Sequence, residues 1–164
     1  VGGHRVKMDR LRGLFEEMGF ADVSTFIASG NVLFTTDATN AATLAGRIEA
    51  DLAEALGYEV AVFLRTAEEL AEVAVFEESA PEHVALYVTF LQEPLTPEAR
   101  AALDALTSDV DSFHFAEREV YWVLQCKMSE SPLFGAGIER AFQGVPVTTR
   151  NMNTVRRLVA RAAS

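Results

Sequence analysis

Two hairpin signals stand 88 residues apart, Ser29 to Glu117, and the same kinds of segment flank each of them. Val23–Ala28 and Val32–Thr36 are rich in β-branched and aromatic residues on either side of Ser29-Gly30-Asn31. Glycine reaches positive φ at no steric cost and asparagine tolerates the left-handed region, so this reads as a tight hairpin. Val110–Phe115 and Val120–Gln125 repeat the pattern around residues 116–119. Before the first hairpin, Met8, Leu11, Leu14, Phe15 and Met18 fall on one face of a helix that stops at Gly19. Its counterpart starts at Thr96-Pro97, 89 residues after Met8, with proline at the first helical position.

The remaining segments fit the same order. Thr39 or Asn40 caps a helix with a buried stripe of Leu44, Ile48, Leu52, Ala55 and Leu56, ended by Gly57. Glu59–Leu64 reads as a strand, and Thr66 with Glu69 as a capping box that starts a short helix to about Val75. Residues 77–82 are polar and closed by Pro81. Val84–Leu91 reads as an apolar strand, and Ser131-Pro132 opens a helix with Phe134, Ile138, Ala141 and Phe142 on one face. Val145–Thr148 is a short strand that Pro146 confines to a sheet edge. Asn151 or Asn153 caps a final helix. The prediction is an α+β fold of two tandem ferredoxin-like βαββαβ units, the first lacking its first strand, plus a C-terminal helix. Its boundaries are 1–76 for unit 1, 77–83 for a linker and 84–164 for unit 2. The first strand is central in that topology, so it is expected just ahead of Val1.

No apolar run reaches the roughly 18–20 residues a membrane span needs, so no membrane partner is expected. The one cysteine, Cys126, allows no internal disulfide, which fits the cytoplasm. The net charge of −10 is unevenly spread. Residues 1–12 carry +3 and residues 140–164 carry +5, leaving −18 on the body between them. Such a body repels nucleic acid, while the two basic ends suit one local anion site.

Val1-Gly2-Gly3, Lys7-Met8, Leu11, Ser29-Gly30-Asn31-Val32, Glu119-Val120-Tyr121 and Thr149-Arg150-Asn151-Met152-Asn153-Thr154-Val155 occur in order along nearly the whole chain. On these stretches the sequence resembles the bacterial domain-of-unknown-function 1697 family. The resemblance implies the two-unit fold and a strand leading into Val1, and it implies no activity. The family pattern carries tryptophan where this chain has Met152, which weakens a base-stacking role there.

Metal-ligand spacing is absent around His4, His83 and His114, and neither a metal nor a cofactor is expected. Cys126 beside Lys127 and Ser29 before Gly30 are nucleophile types without a base or orienting group. Gly2-Gly3 ahead of Arg5 and Lys7 opens a helix and could present N–H groups to an anion. The densest polar cluster is 149–154, where Arg150 suits a phosphate or carboxylate and Asn151 and Asn153 can donate or cap. The leading expectation is a binding module for an anionic ligand (a nucleotide, phosphate compound or RNA) in a cleft between the units. Its contacts are Gly2, Gly3, Arg5, Lys7, Ser29, Asn31, Arg150, Asn151 and Asn153. RNA further requires an open sheet face bearing Phe26, Phe34, Phe113, Phe115, Tyr121 or Trp122. One alternative is an enzyme acting on a small phosphorylated or carboxylated substrate, with His4 as acid or base. The other is an interaction module that pairs through a sheet edge.

Overall fold

The computed structural model describes residues 6–26 and 30–163. It separates into two compact units, residues 1–64 and 65–164. No described helix is long and apolar enough to cross a membrane.

In unit 1, helix α1 (Met8–Glu17) leads through Gly19, at φ +95°, into strands β1 (Ala21–Phe26) and β2 (Asn31–Thr35). The two strands are antiparallel, with Phe26 opposite Asn31, and a bulge between Ala21 and Ser24 holds Asp22 at φ +52°. Residues 27–29 of the expected hairpin tip lie outside the described residues; Gly30 takes φ +85°. Helix α2 (Ala41–Leu56) is capped by Asn40, whose side chain accepts from the Thr43 N–H at 3.0 Å, and Gly57 ends it in the left-handed conformation. Leu11, Phe15, Phe20, Ile48 and Leu52 form the core, with Phe34 within 5.4 Å of Phe15 and 4.5 Å of Phe20 between ring centroids.

Glu59–Leu64 was expected to be a strand, and among the described residues it joins no ladder. Val60, Val62 and Leu64 lie against the core, and the Val62 N–H donates to Glu49 Oε2 at 3.0 Å. Burial alternates from Glu59 to Val62 and stops alternating at the half-buried Phe63, and an α2 side chain supplies the acceptor.

Unit 2 begins with Arg65 and α3 (Ala67–Ser79), opened by the expected Thr66–Glu69 capping box. The division between the two compact units thus falls at Leu64/Arg65, ahead of the linker expected at residues 77–83. Residues 77–79 look like a linker because they are polar, but they complete a helix that packs on α6 (Met152–Ala162). Four antiparallel strands follow in the spatial order β4–β5–β3–β6, namely β3 (Ala85–Leu91), β4 (Asp111–Phe115), β5 (Glu119–Leu124) and β6 (Val147–Asn151). On one face, Leu91, Val120, Trp122 and Leu124 pack against Leu103 of α4 (Pro97–Asp104) and against Leu133, Ala141 and Phe142. On the other, Phe76 of α3 stacks on Tyr121 with centroids 3.9 Å apart, and α6 covers β3 and β6. Both faces are thus covered.

The helix expected from Ser131 is corrected to a run of short turns. These are 3₁₀ turns at Met128–Glu130 and Arg140–Phe142, and the four-residue α5 (Ala136–Glu139). Gly135 at φ +85° interrupts the helical path and Pro132 lacks an N–H, so apolar spacing alone misleads here. As a result Phe134 is 58% exposed instead of facing the core.

Burial, then the Glu119 carboxylate, push the Tyr121 phenol up to about 12, with Arg65 opposing. A raised phenol contributes stability fully present below pH 10 and lost as pH rises to about 12. The expected fall over that window is roughly 2–3 kcal/mol. Urea titrations at successive pH values check it: the fall should be absent in Tyr121→Phe.

Candidate functional site

The polar cluster 149–154 spans the junction of β6 and α6, so Thr149, Arg150 and Asn151 lie on the strand and not in a loop after it. Pairing starts after Pro146, with Val147 opposite Leu91 and Asn151 opposite Tyr87. Thr149 shares a 2.8 Å hydroxyl–hydroxyl hydrogen bond with the buried Thr89. Arg150 is half-buried on the strand, and its Nη1 donates to Thr148 Oγ1 at 2.7 Å and to the Thr149 carbonyl at 3.0 Å. Burial draws its pKa below the ordinary arginine value. A guanidinium remains charged there, so the junction holds a partly desolvated cation. Asn151 caps α6, its Oδ1 accepting from the Asn153 N–H at 2.8 Å.

The basic run of α6 has partners. Arg156 bonds to Glu77 of α3 and to Asn153 Oδ1, so acid-rich α3 offsets part of the positive charge read in residues 140–164. Of the other expected contacts, Lys7 is exposed just ahead of α1. Asn31 Nδ2 donates to the Phe26 carbonyl at 3.0 Å, closing the hairpin. Gly2, Gly3, Arg5 and Ser29, and His4 of the enzyme reading, lie outside the described residues.

Cys126 and the aromatic candidates of unit 2 are engaged in structure. Burial first, then the Asp111 and Glu130 carboxylates, push the Cys126 thiol up, although Lys127 is its neighbour in the chain. Less thiolate means a poorer nucleophile. The His83 Nδ1–H donates to the Pro81 carbonyl at 2.7 Å, and His114 lies against Phe76. Phe113, Tyr121 and Trp122 are buried, and Phe115 lies under Arg100 with the guanidinium 4.6 Å from its ring centroid.

Two concavities escape sequence reasoning. In unit 1, Thr39, Asn40, Thr43 and Arg47 border a shallow one of about 270 Å³ at the start of α2. Arg47 is turned back there to the Met18 carbonyl, the Phe20 ring and Asp51. In unit 2, a groove of about 320 Å³ lies between β6 and residues 128–142, with Trp122 and Phe142 among its walls. The helical spacing of Phe134, Ile138 and Phe142 hid the short turns that create it.

Across residues 1–121 the chain matches the family described as proteins of unknown function, DUF1697. The chain belongs to the DUF1697 family. A solved structure of a conserved bacterial protein, SP0830 from Streptococcus pneumoniae, is similar with a TM-score of 0.71 at 20% identity. The match covers 99% of this chain and 92% of that one, a likeness of fold alone. No curated protein matches. The β6–α6 junction and the groove both lie beyond the stretch matched to DUF1697, so family membership assigns no role to either.

Proposed function

We propose that this DUF1697 chain is a cytoplasmic binding module, and that unit 2 takes up an anionic ligand at the β6–α6 junction. The observation that carries the reading is Arg150. Its guanidinium is half-buried where a strand runs into a helix N-terminus, with Asn151 and Asn153 beside it. A desolvated cation is attracted to a phosphate or carboxylate more strongly than one in water, and the helix start adds to that field. The finer fold reading belongs to the same proposal: two tandem ferredoxin-like units. Supporting it, the strand order β4–β5–β3–β6 is that of a βαββαβ plait, and unit 1 follows the same helix–strand–strand–helix sequence from α1 to α2.

Thermal shift and calorimetric titration with inorganic phosphate, nucleotides and citrate test the site. A ligand at one hundred times its dissociation constant stabilises by about 2.7 kcal/mol. Arg150→Ala is expected to weaken binding at least tenfold. Arg150→Lys should retain part of it, because a point charge replaces the two-pronged fork. An unchanged response in Arg150→Ala rejects the site.

A further inference from the structure

The groove between β6 and residues 128–142 has room of about 320 Å³, at the small end of the ~300–1,000 Å³ that organic ligands fill. Met128, Ile138 and Phe142 give it an apolar lining, and Phe134, which the left-handed Gly135 leaves 58% exposed, extends that surface outward. Its β6 wall is polar, formed by Thr148 and Thr149. These two threonines are the ones that Arg150 holds: Nη1 donates to Thr148 Oγ1 at 2.7 Å and to the Thr149 carbonyl at 3.0 Å. On β3 the Leu91 N–H is turned toward the β5 side, to the Arg118 carbonyl, so Phe90 and Val88 turn their main chain toward β6. Thr149 lies between their partners Thr148 and Arg150, and its carbonyl is therefore directed away from β3. A guanidinium bonded to that carbonyl sits at the outer margin of the strand, beside the groove.

We propose that the ligand of this site is a small aryl carboxylate, with its carboxylate at Arg150 and its ring in the groove. This assignment rests on the anion reading of Arg150 and adds the body of the ligand to it. The Thr148 hydroxyl accepts from Nη1 and keeps its own proton to donate to the carboxylate. Residues 140–164 carry five arginines and no acid, which suits a negative head on the β6 side. Glu139 lines the groove from the opposite wall and repels the carboxylate, so it orients the head toward β6. The ring meets the Phe134 and Phe142 side chains and the Met128 thioether, partners that favour an aromatic body over an alkyl chain. Apolar contact in the groove supplies affinity, and the charged margin fixes orientation.

The test is calorimetric titration of the full chain with 3-phenylpropionate, its uncharged amide, acetate and inorganic phosphate. The fluorescence of Trp122, the single tryptophan and a lining residue of the groove, gives a second readout. 3-Phenylpropionate is expected to bind at least tenfold more tightly than either acetate or the amide, and to change the Trp122 emission. Phe134→Ser, at an exposed position and so of little consequence for folding, should weaken 3-phenylpropionate several-fold and leave phosphate unchanged. Arg150→Ala should weaken both at least tenfold, and Glu139→Gln should tighten 3-phenylpropionate. Phosphate bound through Arg150, with 3-phenylpropionate no tighter than acetate, overturns the aryl assignment and leaves the anion reading standing. An amide that binds as tightly as the carboxylate overturns the proposal, as does 3-phenylpropionate binding that survives Arg150→Ala. Binding of none of the four overturns the proposal and the anion reading together.

Discussion

Arg65→Ala is expected to destabilise unit 2 by about 3–5 kcal/mol. The side chain is 5% exposed and its partner Glu119 is 13% exposed. Its Nε donates to Glu119 Oε2 at 2.8 Å, and its Nη2 donates to the Arg118 carbonyl at 2.8 Å and to the Leu91 carbonyl at 3.0 Å. The guanidinium also lies 5.3 Å from the Phe90 ring centroid. One residue at the start of unit 2 thus ties the end of β3 to the turn between β4 and β5. Beside it, Arg118 pairs with Glu69 of the α3 capping box at 2.8 Å. The cost comes less from the attraction removed than from the groups left behind, a nearly buried carboxylate without this cation and two carbonyls without this donor. That account makes a second claim. Arg65→Met combined with Glu119→Leu should recover most of the loss, because it removes both charges and fills the volume. Arg65→Lys should fall between, since an ammonium cannot hold all three acceptors in one fork. Urea unfolding followed by the fluorescence of Trp122, the single tryptophan and a core residue of unit 2, reads this unit separately. A loss below about 1 kcal/mol for Arg65→Ala would place Glu119 in a solvated setting and refute the account.

Arg65 also shows where sequence reasoning stops. Its acceptors lie 26, 53 and 54 positions along the chain, and nothing near it in sequence announces them. Local signals fared better. Asn40, Thr66, Thr96 and Asn151 all cap the helices expected after them, because a cap is settled within three residues. Pro146 likewise identified an edge strand. The failures occurred where a local pattern had two physical outcomes. Val60, Val62 and Leu64 alternate as in a strand, yet ladder formation depends on a distant partner. Phe134, Ile138 and Phe142 have helical spacing, yet the backbone at Gly135 overrides it. Glu77 looked solvated, and it faces Arg156, 79 residues away. At the candidate site, the polar cluster was legible as a cluster. Its division into a strand-borne cation and a helix cap was not, because that depends on where pairing with β3 ends.

Asp111→Ala is the second large effect, expected at roughly 3–5 kcal/mol because it strips the acceptor from two buried donors, Trp122 and Ser131, at once. Asp111 is 1% exposed. Its Oδ1 accepts from Trp122 Nε1 at 2.9 Å and from Ser131 Oγ at 2.7 Å, and its Oδ2 accepts from Ser108 Oγ at 3.1 Å. The two serines are then spent on the backbone: Ser131 Oγ accepts from the Leu133 N–H, and Ser108 Oγ from the Val110 and Asp111 N–H groups. This arrangement gives a buried acid a structural use. It orients the indole of Trp122, anchors the turns after β5, and leaves Ser131 as a donor to a carboxylate with no base to activate it as a nucleophile. An acid inside an otherwise β-rich run is the trace it leaves in the sequence, since local patterning alone would place an apolar residue there. Asp111→Asn discriminates between charge and hydrogen bonding. The amide keeps one acceptor for Trp122 and Ser131, while the Ser108 hydroxyl, which already accepts from the Val110 and Asp111 N–H groups, loses its own acceptor. Asp111→Asn should therefore cost about 1–2 kcal/mol, less than Asp111→Ala. Trp122→Phe removes the indole donor and leaves the carboxylate with two hydroxyls, and the double variant Asp111→Ala, Trp122→Phe should cost less than the sum of the two. Additivity in that cycle, measured by urea unfolding followed by circular dichroism, would show that the 2.9 Å contact is not what holds Trp122 in place.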